Sequence, residues 1–72
     1  MQSNLFEYKV TAVGLSRFSN LEAFGRELQQ RLDTEATANA QQGWELWQFD
    51  TLNDHEGNNG LILVYRRMKS SL

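Results

Sequence analysis

Apolar and polar residues alternate along the first part of the chain. Four apolar residues occupy every second position: Phe6, Tyr8, Val10 and Ala12. Three polar residues stand between them: Glu7, Lys9 and Thr11. Because successive side chains of a strand point to opposite faces, this pattern predicts a half-buried strand with its apolar face inward and its polar face outward. Gly14 is expected to end the strand.

The spacing of the next apolar residues changes to that of a helix. Leu21, Phe24, Leu28 and Leu32 are separated by three or four positions, which places them on one helix face. Ser19 and Glu22 fit the S-x-x-E capping box at the helix start, and Gly43 suits the left-handed conformation after a helix end. The pattern predicts a helix over residues 20–42, and it is compatible with an interruption near Asp33.

Two further strands follow the helix. The segments Trp44–Leu52 and Leu61–Met68 are rich in aromatic and branched residues, and the polar stretch Asn53–Gly60 predicts a hairpin loop. The fold class expected is therefore α+β, a single β-α-β-β domain with the helix packed on one face of a three-stranded, mainly antiparallel sheet. The continuous apolar run of the third strand favours the order 1-3-2. If the second strand were central, it would pair with the first in parallel.

The last two strands carry apolar side chains on both faces. In the second strand, alternation places Trp47 and Phe49 on one face and Trp44 and Leu46 on the other. In the third strand, it places Ile62 and Val64 on one face and Leu61, Leu63 and Tyr65 on the other. One helix covers one face, so the other is left with a contiguous apolar surface, which usually marks an interface. Identical chains packing face to face or edge to edge, most simply as a symmetric dimer, would bury it. The candidate interface or ligand-surface residues are Trp47, Phe49, Ile62, Val64 and Arg66.

Composition adds a reason for self-association. The chain has 72 residues, a net charge of −2, 40% hydrophobic residues and no cysteine. We expect one domain over residues 1–72 with an ordered core at about 5–68. A chain of this size cannot bury a large hydrophobic core, and without cysteine it forms no disulfides, so we expect oligomerisation to supply additional stability. No apolar run could span a membrane and no signal peptide is visible, so we expect a cytoplasmic protein that does not bind membranes. The pI of about 5.2 makes nucleic acid an unfavourable partner.

Few residues have the character of a reactive site. His55 stands among Asp50, Asp54 and Glu56, a set that could bind a metal, but the surrounding Asn and Gly residues favour a solvated hairpin tip. The sequence shows no nucleophile arrangement and no phosphate-binding loop, so we expect no enzyme, no catalytic or metal site and no cofactor.

The basic end of the third strand has two interpretations. Arg66, Arg67 and Lys69 could contact a nucleic acid together with nearby aromatic residues. The favoured interpretation is that the arginines pair with Glu45 or Asp50 across the hairpin.

The segments around Tyr8-Lys9-Val10 and Gly43-Trp44-Glu45-Leu46 resemble the pattern of a small bacterial family catalogued as domain of unknown function 4177. In that family a YEYKV-like strand, a helix, a GWEL-like turn and a last strand with a basic end follow one another, and Arg66-Arg67 fits that end. Trp47 departs from the pattern, since a small aliphatic residue is usual there. The resemblance implies the β-α-β-β fold and a bacterial or phage source, and it implies no activity.

The sequence therefore predicts a non-enzymatic, homo-oligomeric interaction or assembly module of unknown process. Its expected partner is a second copy of itself, as a homodimer or higher oligomer, and a different protein is the other candidate. The alternative is a small-ligand protein that holds a flat aromatic or nucleotide-like molecule in an aromatic slot at the subunit interface, with Trp47 as a stacking wall.

Overall fold

The computed structural model describes residues 5–15, 20–54, 56 and 58–69. Strand β1 spans Phe6–Leu15, helix α1 spans Leu21–Ala40, strand β2 spans Glu45–Asn53 and strand β3 spans Asn59–Met68. This confirms the predicted α+β fold with the order β-α-β-β. The hairpin loop is shorter than predicted, because Asn53 and Asn59 still pair across the two strands.

The three strands form one antiparallel sheet with the order β1-β3-β2, as favoured from the sequence. β3 pairs with β1 from Asn59 to Met68, and with β2 on its other side. The arrangement with β2 at the centre and a parallel pair is therefore wrong. β3 is the central strand because its apolar residues lie beside residues of both β1 and β2.

Helix α1 is continuous through Asp33, so the structure contains no break there. Its N-cap is Asn20, whose side-chain Oδ1 accepts a hydrogen bond of 2.8 Å from the backbone N–H of Ala23. The capping box had assigned this place to Ser19, which lies outside the described residues. Gly43 follows the helix with φ of +86°, as predicted, and this turn directs the chain into β2.

The core lies between the helix and β3. Among the described residues, three hydrophobic side chains are fully buried, and all belong to β3: Leu61, Leu63 and Tyr65. Six partly buried residues surround them: Val13, Leu15, Leu28, Leu32, Trp44 and Leu46. The prediction that alternate residues of β3 face the helix is confirmed.

The orientation predicted for β1 is wrong. Lys9 pairs with Tyr65 and Thr11 with Leu63, so the polar residues of β1 share the helix-covered face with the core. Tyr8 and Val10 lie on the opposite face and are 45% and 64% exposed. The face of the sheet that the helix covers, which we call the covered face, tolerates polar residues at β1 because the helix lies closer to β2 than to β1. Long side chains can also bury their aliphatic part while their charged ends bind polar partners.

The orientation predicted for Phe49 is also wrong. A β-bulge between Leu46 and Gln48 inserts Trp47 as an extra residue, and beyond it the alternation is shifted by one position. Gln48 then pairs with Val64, whereas Phe49 pairs with the buried Leu63 and so belongs to the covered face. Phe49 remains 50% exposed there.

Candidate functional site

The sheet has one face that the helix does not cover, which we call the uncovered face. The pairing of the strands places fifteen residues on it: Phe6, Tyr8, Val10, Ala12, Gly14, Glu45, Trp47, Gln48, Asp50, Leu52, Gly60, Ile62, Val64, Arg66 and Met68. Most of them are apolar, and the exposed fractions of Trp47 and Met68 reach 44% and 65%. β1 and β3 contribute most of the apolar residues of this face, and β2 adds Trp47 and Leu52 among the polar residues Glu45, Gln48 and Asp50.

One end of the uncovered face is an aromatic cluster built around a guanidinium group. The rings of Tyr8 and Trp47 lie 5.4 Å apart at an angle of 48°. The Arg66 guanidinium lies 4.5 Å from the centre of the Phe6 ring and 5.3 Å from that of Trp47. These distances allow cation–π attraction, which holds the arginine flat against the sheet.

The same arginine forms the ion pair that the sequence favoured. Arg66 Nε donates a hydrogen bond of 3.0 Å to Glu45 Oε1 across the β2–β3 pair. The carboxylate is 63% exposed, so solvent screens the pair and it contributes little to stability by itself. Its effect is to fix the orientation of the guanidinium between the aromatic rings.

A shallow depression of about 340 Å³ lies next to the cluster, and six residues line it: Trp47, Gln48, Phe49, Asp50, Ile62 and Val64. Four of the five candidate residues from the sequence therefore meet there, Phe49 included although it belongs to the covered face. The fifth, Arg66, stands on the other side of Trp47. The carboxylate of Asp50, which accepts a hydrogen bond from Thr51 N, makes this end of the face acidic.

Sequence reasoning missed the share of β1 in this surface. Phe6, Tyr8 and Val10 were assigned to the core, and the structure places them on the uncovered face. Their alternation was visible in the sequence, but alternation defines two faces without saying which one the helix covers.

A second group of polar residues lies on the covered face beside Trp44. Lys9 Nζ donates a hydrogen bond of 2.6 Å to Asn39 Oδ1. Arg67 Nε donates one of 2.8 Å to Glu7 Oε2, and its guanidinium lies 4.0 Å from the centre of the Trp44 ring. The charges of β1 are thus paired under the end of the helix, and this group joins β1 and β3 to the helix end.

The described residues include no group of three or more histidine, cysteine, aspartate or glutamate side chains that could hold a metal. His55, around which the sequence allowed but did not favour such a site, lies outside them. The neighbouring Asp54 accepts hydrogen bonds from the backbone N–H groups of Glu56 and Asn58. Within the described ranges no helix is long and apolar enough to cross a membrane.

Comparison with known proteins gives no match. No family model, curated protein or solved structure is significantly similar to the chain.

Proposed function

We propose that the protein is a non-enzymatic, cytoplasmic assembly module that forms a homodimer through the uncovered face of its sheet. The observation that carries the proposal is the exposed apolar surface of this face, which comes mainly from β1 and β3 and to which β2 adds Trp47 and Leu52. Exposed apolar patches of this extent usually serve as binding surfaces, since their exposure to water is unfavourable.

The dimensions of the face limit the area that a second copy of the chain could bury. Strands of ten residues, such as β1 and β3, are about 30 Å long, and three strands are about 14 Å wide, which gives a flat footprint of about 400 Å². Two copies would cover about 800 Å² before the relief of the side chains is counted, and stable interfaces begin near 1,200 Å² in total. Protruding aromatic side chains such as Trp47 and Tyr8 bring the buried area towards that value.

The chemistry of the face also suits contact. Aromatic residues, methionine and arginine are enriched at protein interfaces, and lysine is depleted. The uncovered face follows this composition: it holds Phe6, Tyr8, Trp47, Arg66 and Met68 and no lysine. A fixed arginine stacked between aromatic rings is pre-ordered for binding, so little side-chain entropy is lost when a partner covers it.

Substitution of Trp47 tests the proposal. Trp47→Glu places a charge in the aromatic cluster of the proposed interface, where burial without a partner is costly, and we expect native mass spectrometry to show a monomer instead of a dimer. Circular dichroism should remain that of the folded protein, because Trp47 is a bulge residue outside the core.

Leu21→Glu is the matched control, since it introduces the same charge at an apolar residue that is 84% exposed at the helix start. We expect this variant to retain the wild-type mass. If Trp47→Glu also retains that mass, the interface lies elsewhere.

The second candidate function is the binding of a flat ligand, favoured by the depression beside Trp47. Its volume of about 340 Å³ lies at the lower end of small-molecule sites. The experiment is a titration with flavin mononucleotide in a Trp44→Phe background, in which all tryptophan fluorescence comes from Trp47. Saturable quenching of the Trp47 fluorescence would support ligand binding, and an unchanged fluorescence would exclude flavins as the ligand.

We propose membership of the family of unknown function 4177 on the segments Tyr8-Lys9-Val10 and Gly43-Trp44-Glu45-Leu46 alone. Gly43 supplies the positive-φ turn into β2, and Trp44 packs against the core, so these residues have structural roles. The proposal adds no activity to the assembly function.

A further inference from the structure

We infer that the depression beside Trp47 is a binding site for a planar organic cation and that it discriminates against planar anions. The inference rests on the second candidate function, the binding of a flat ligand, because it assigns the charge of that ligand. Its basis is the shape and the charge of the residues that line the depression.

The shape of the depression follows from the unequal size of the side chains along the uncovered face. The bulge residue Trp47 is one of its lining residues, and Ile62 and Val64 of the central strand supply apolar contact area. Towards the hairpin, the next residues on this face are Gly60 and its strand neighbour Gly14, which have no side chains. The step from a large aromatic ring to bare backbone leaves room for a flat molecule.

The charge at the depression is negative. Among the described residues of the uncovered face three are charged, and two of these, Arg66 and Glu45, neutralise each other in an ion pair of 3.0 Å. Asp50 is the third, and it is the one charged residue that lines the depression. Its Oδ1 accepts a hydrogen bond of 2.8 Å from Thr51 N, and the ion pairs between described residues do not include it. A bound cation would therefore complement this carboxylate, whereas an anion would be repelled.

The indole ring of Trp47 favours the same charge. The face of an aromatic ring is negatively polarised and attracts cations, and the Arg66 guanidinium already lies 5.3 Å from the centre of this ring. Trp47 is 44% exposed, so part of the indole remains accessible to a ligand. A planar cation in the depression would contact both the indole and the Asp50 carboxylate, because both groups line it.

Three ligands that share one ring and differ in charge test the inference. The N-methylnicotinamidium ion is a cation, nicotinamide is neutral and nicotinate is an anion. Each should be titrated into the isotope-labelled full chain at low ionic strength, where screening is weak, and binding followed by the shifts of the amide resonances in NMR spectra. We expect saturable shifts at Gln48 and Asp50 for the cation, with an affinity about fivefold higher than that of nicotinamide. Nicotinate should bind most weakly.

Asp50→Asn tests the part of the carboxylate, since it removes the charge and keeps a side-chain oxygen that can accept the hydrogen bond from Thr51 N. We expect the affinity for the cation to fall about fivefold, to that of nicotinamide, and the affinity for nicotinamide to stay unchanged. Asp33→Asn is the matched control, because it removes the same charge from an exposed position of helix α1. This variant should bind all three ligands as the wild type does.

The outcomes separate the inference from the second candidate function. If nicotinate binds at Gln48 and Asp50 as tightly as the cation, or if Asp50→Asn leaves the affinity for the cation unchanged, the inference is wrong and ligand binding at the depression stands. If none of the three ligands shifts the resonances of these two residues, both the inference and ligand binding at the depression fail.

Discussion

Tyr65 is the residue in which burial and polarity are most directly opposed. Its side chain is fully buried in the centre of β3, and among the described residues its hydroxyl has no hydrogen-bond partner. Burial raises the pKa of Tyr65 above 10.0, and the carboxylate of Glu35 acts in the same direction. Asn39 and Thr11 face the hydroxyl and oppose the rise of the pKa, but neither meets the geometry of a hydrogen bond to it.

Tyr65→Phe tests this account of the hydroxyl. An unpaired hydroxyl contributes no net hydrogen bond, so near pH 7 we expect the free energy of unfolding to change by less than about 1 kcal/mol. Because the folded pKa lies above the unfolded value, the neutral tyrosine stabilises the fold below pH 10 and this stability is lost as the pH rises through the folded pKa. Urea unfolding between pH 7 and 11 should show a smaller alkaline loss for the variant.

Tyr8→Phe is the comparison for this measurement, since Tyr8 is 45% exposed. We expect it to keep the alkaline loss of the wild type. A fall of more than about 2 kcal/mol for Tyr65→Phe at pH 7 would mean that the hydroxyl has a hydrogen-bond partner in solution.

At the scale of the element, helix α1 shows how a capping residue sets where a helix begins, and strand β2 shows how a bulge sets which face of the sheet a side chain occupies. The helix begins after Asn20, because the side chain of this residue accepts a bond from the third helical N–H group. β2 changes the face of its side chains at the bulge of Trp47. The cap has a residue signature in the sequence, whereas the bulge depends on the pairing with β3.

Asn20→Ala tests the cap. Loss of the side-chain acceptor should lower the free energy of unfolding by about 1 kcal/mol, measured by urea unfolding at a fixed protein concentration. Asn20→Asp keeps an acceptor and adds a charge that the helix N-terminus favours, so we expect wild-type stability or better. Equal stability of the alanine and wild-type proteins would contradict the role of Asn20 as the N-cap.

The whole molecule consists of one helix on one sheet, with a core that is narrow for a folded domain. Only the three side chains of β3 are fully buried among the described residues. Small domains of this kind have little stability to spare unless a partner, a metal or a disulfide adds to it. Cysteine is absent from the sequence, so association through the uncovered face is the source of stability that we propose.

If this proposal holds, stability depends on protein concentration. A dimer that unfolds to monomers gains stability by mass action, so we expect the Tm to rise when the protein concentration is raised a hundredfold. The Tm of Trp47→Glu should not change over the same range and should lie below that of the wild type. A wild-type Tm that is independent of concentration would contradict the coupling of folding to assembly.

Most of the architecture could be predicted from the sequence because it depends on local patterns. The periodicity of Leu21 to Leu32 specified a helix, and the run Leu61–Tyr65 specified a central strand. The candidate site was predicted in part, since Trp47, Ile62 and Val64 do share one depression. Phe49 was assigned to the wrong face, because a one-residue bulge reverses the alternation of everything after it.

The sequence by itself determined the element types, their order and the existence of an apolar surface beyond what one helix can cover. Only the tertiary structure decided which face of β1 the helix covers. The pairing with β3 places Lys9 and Thr11 beside the core and leaves Tyr8 and Val10 exposed. The physical reason is that alternation separates two faces in a single strand, whereas burial depends on the register between strands and on where the helix lies.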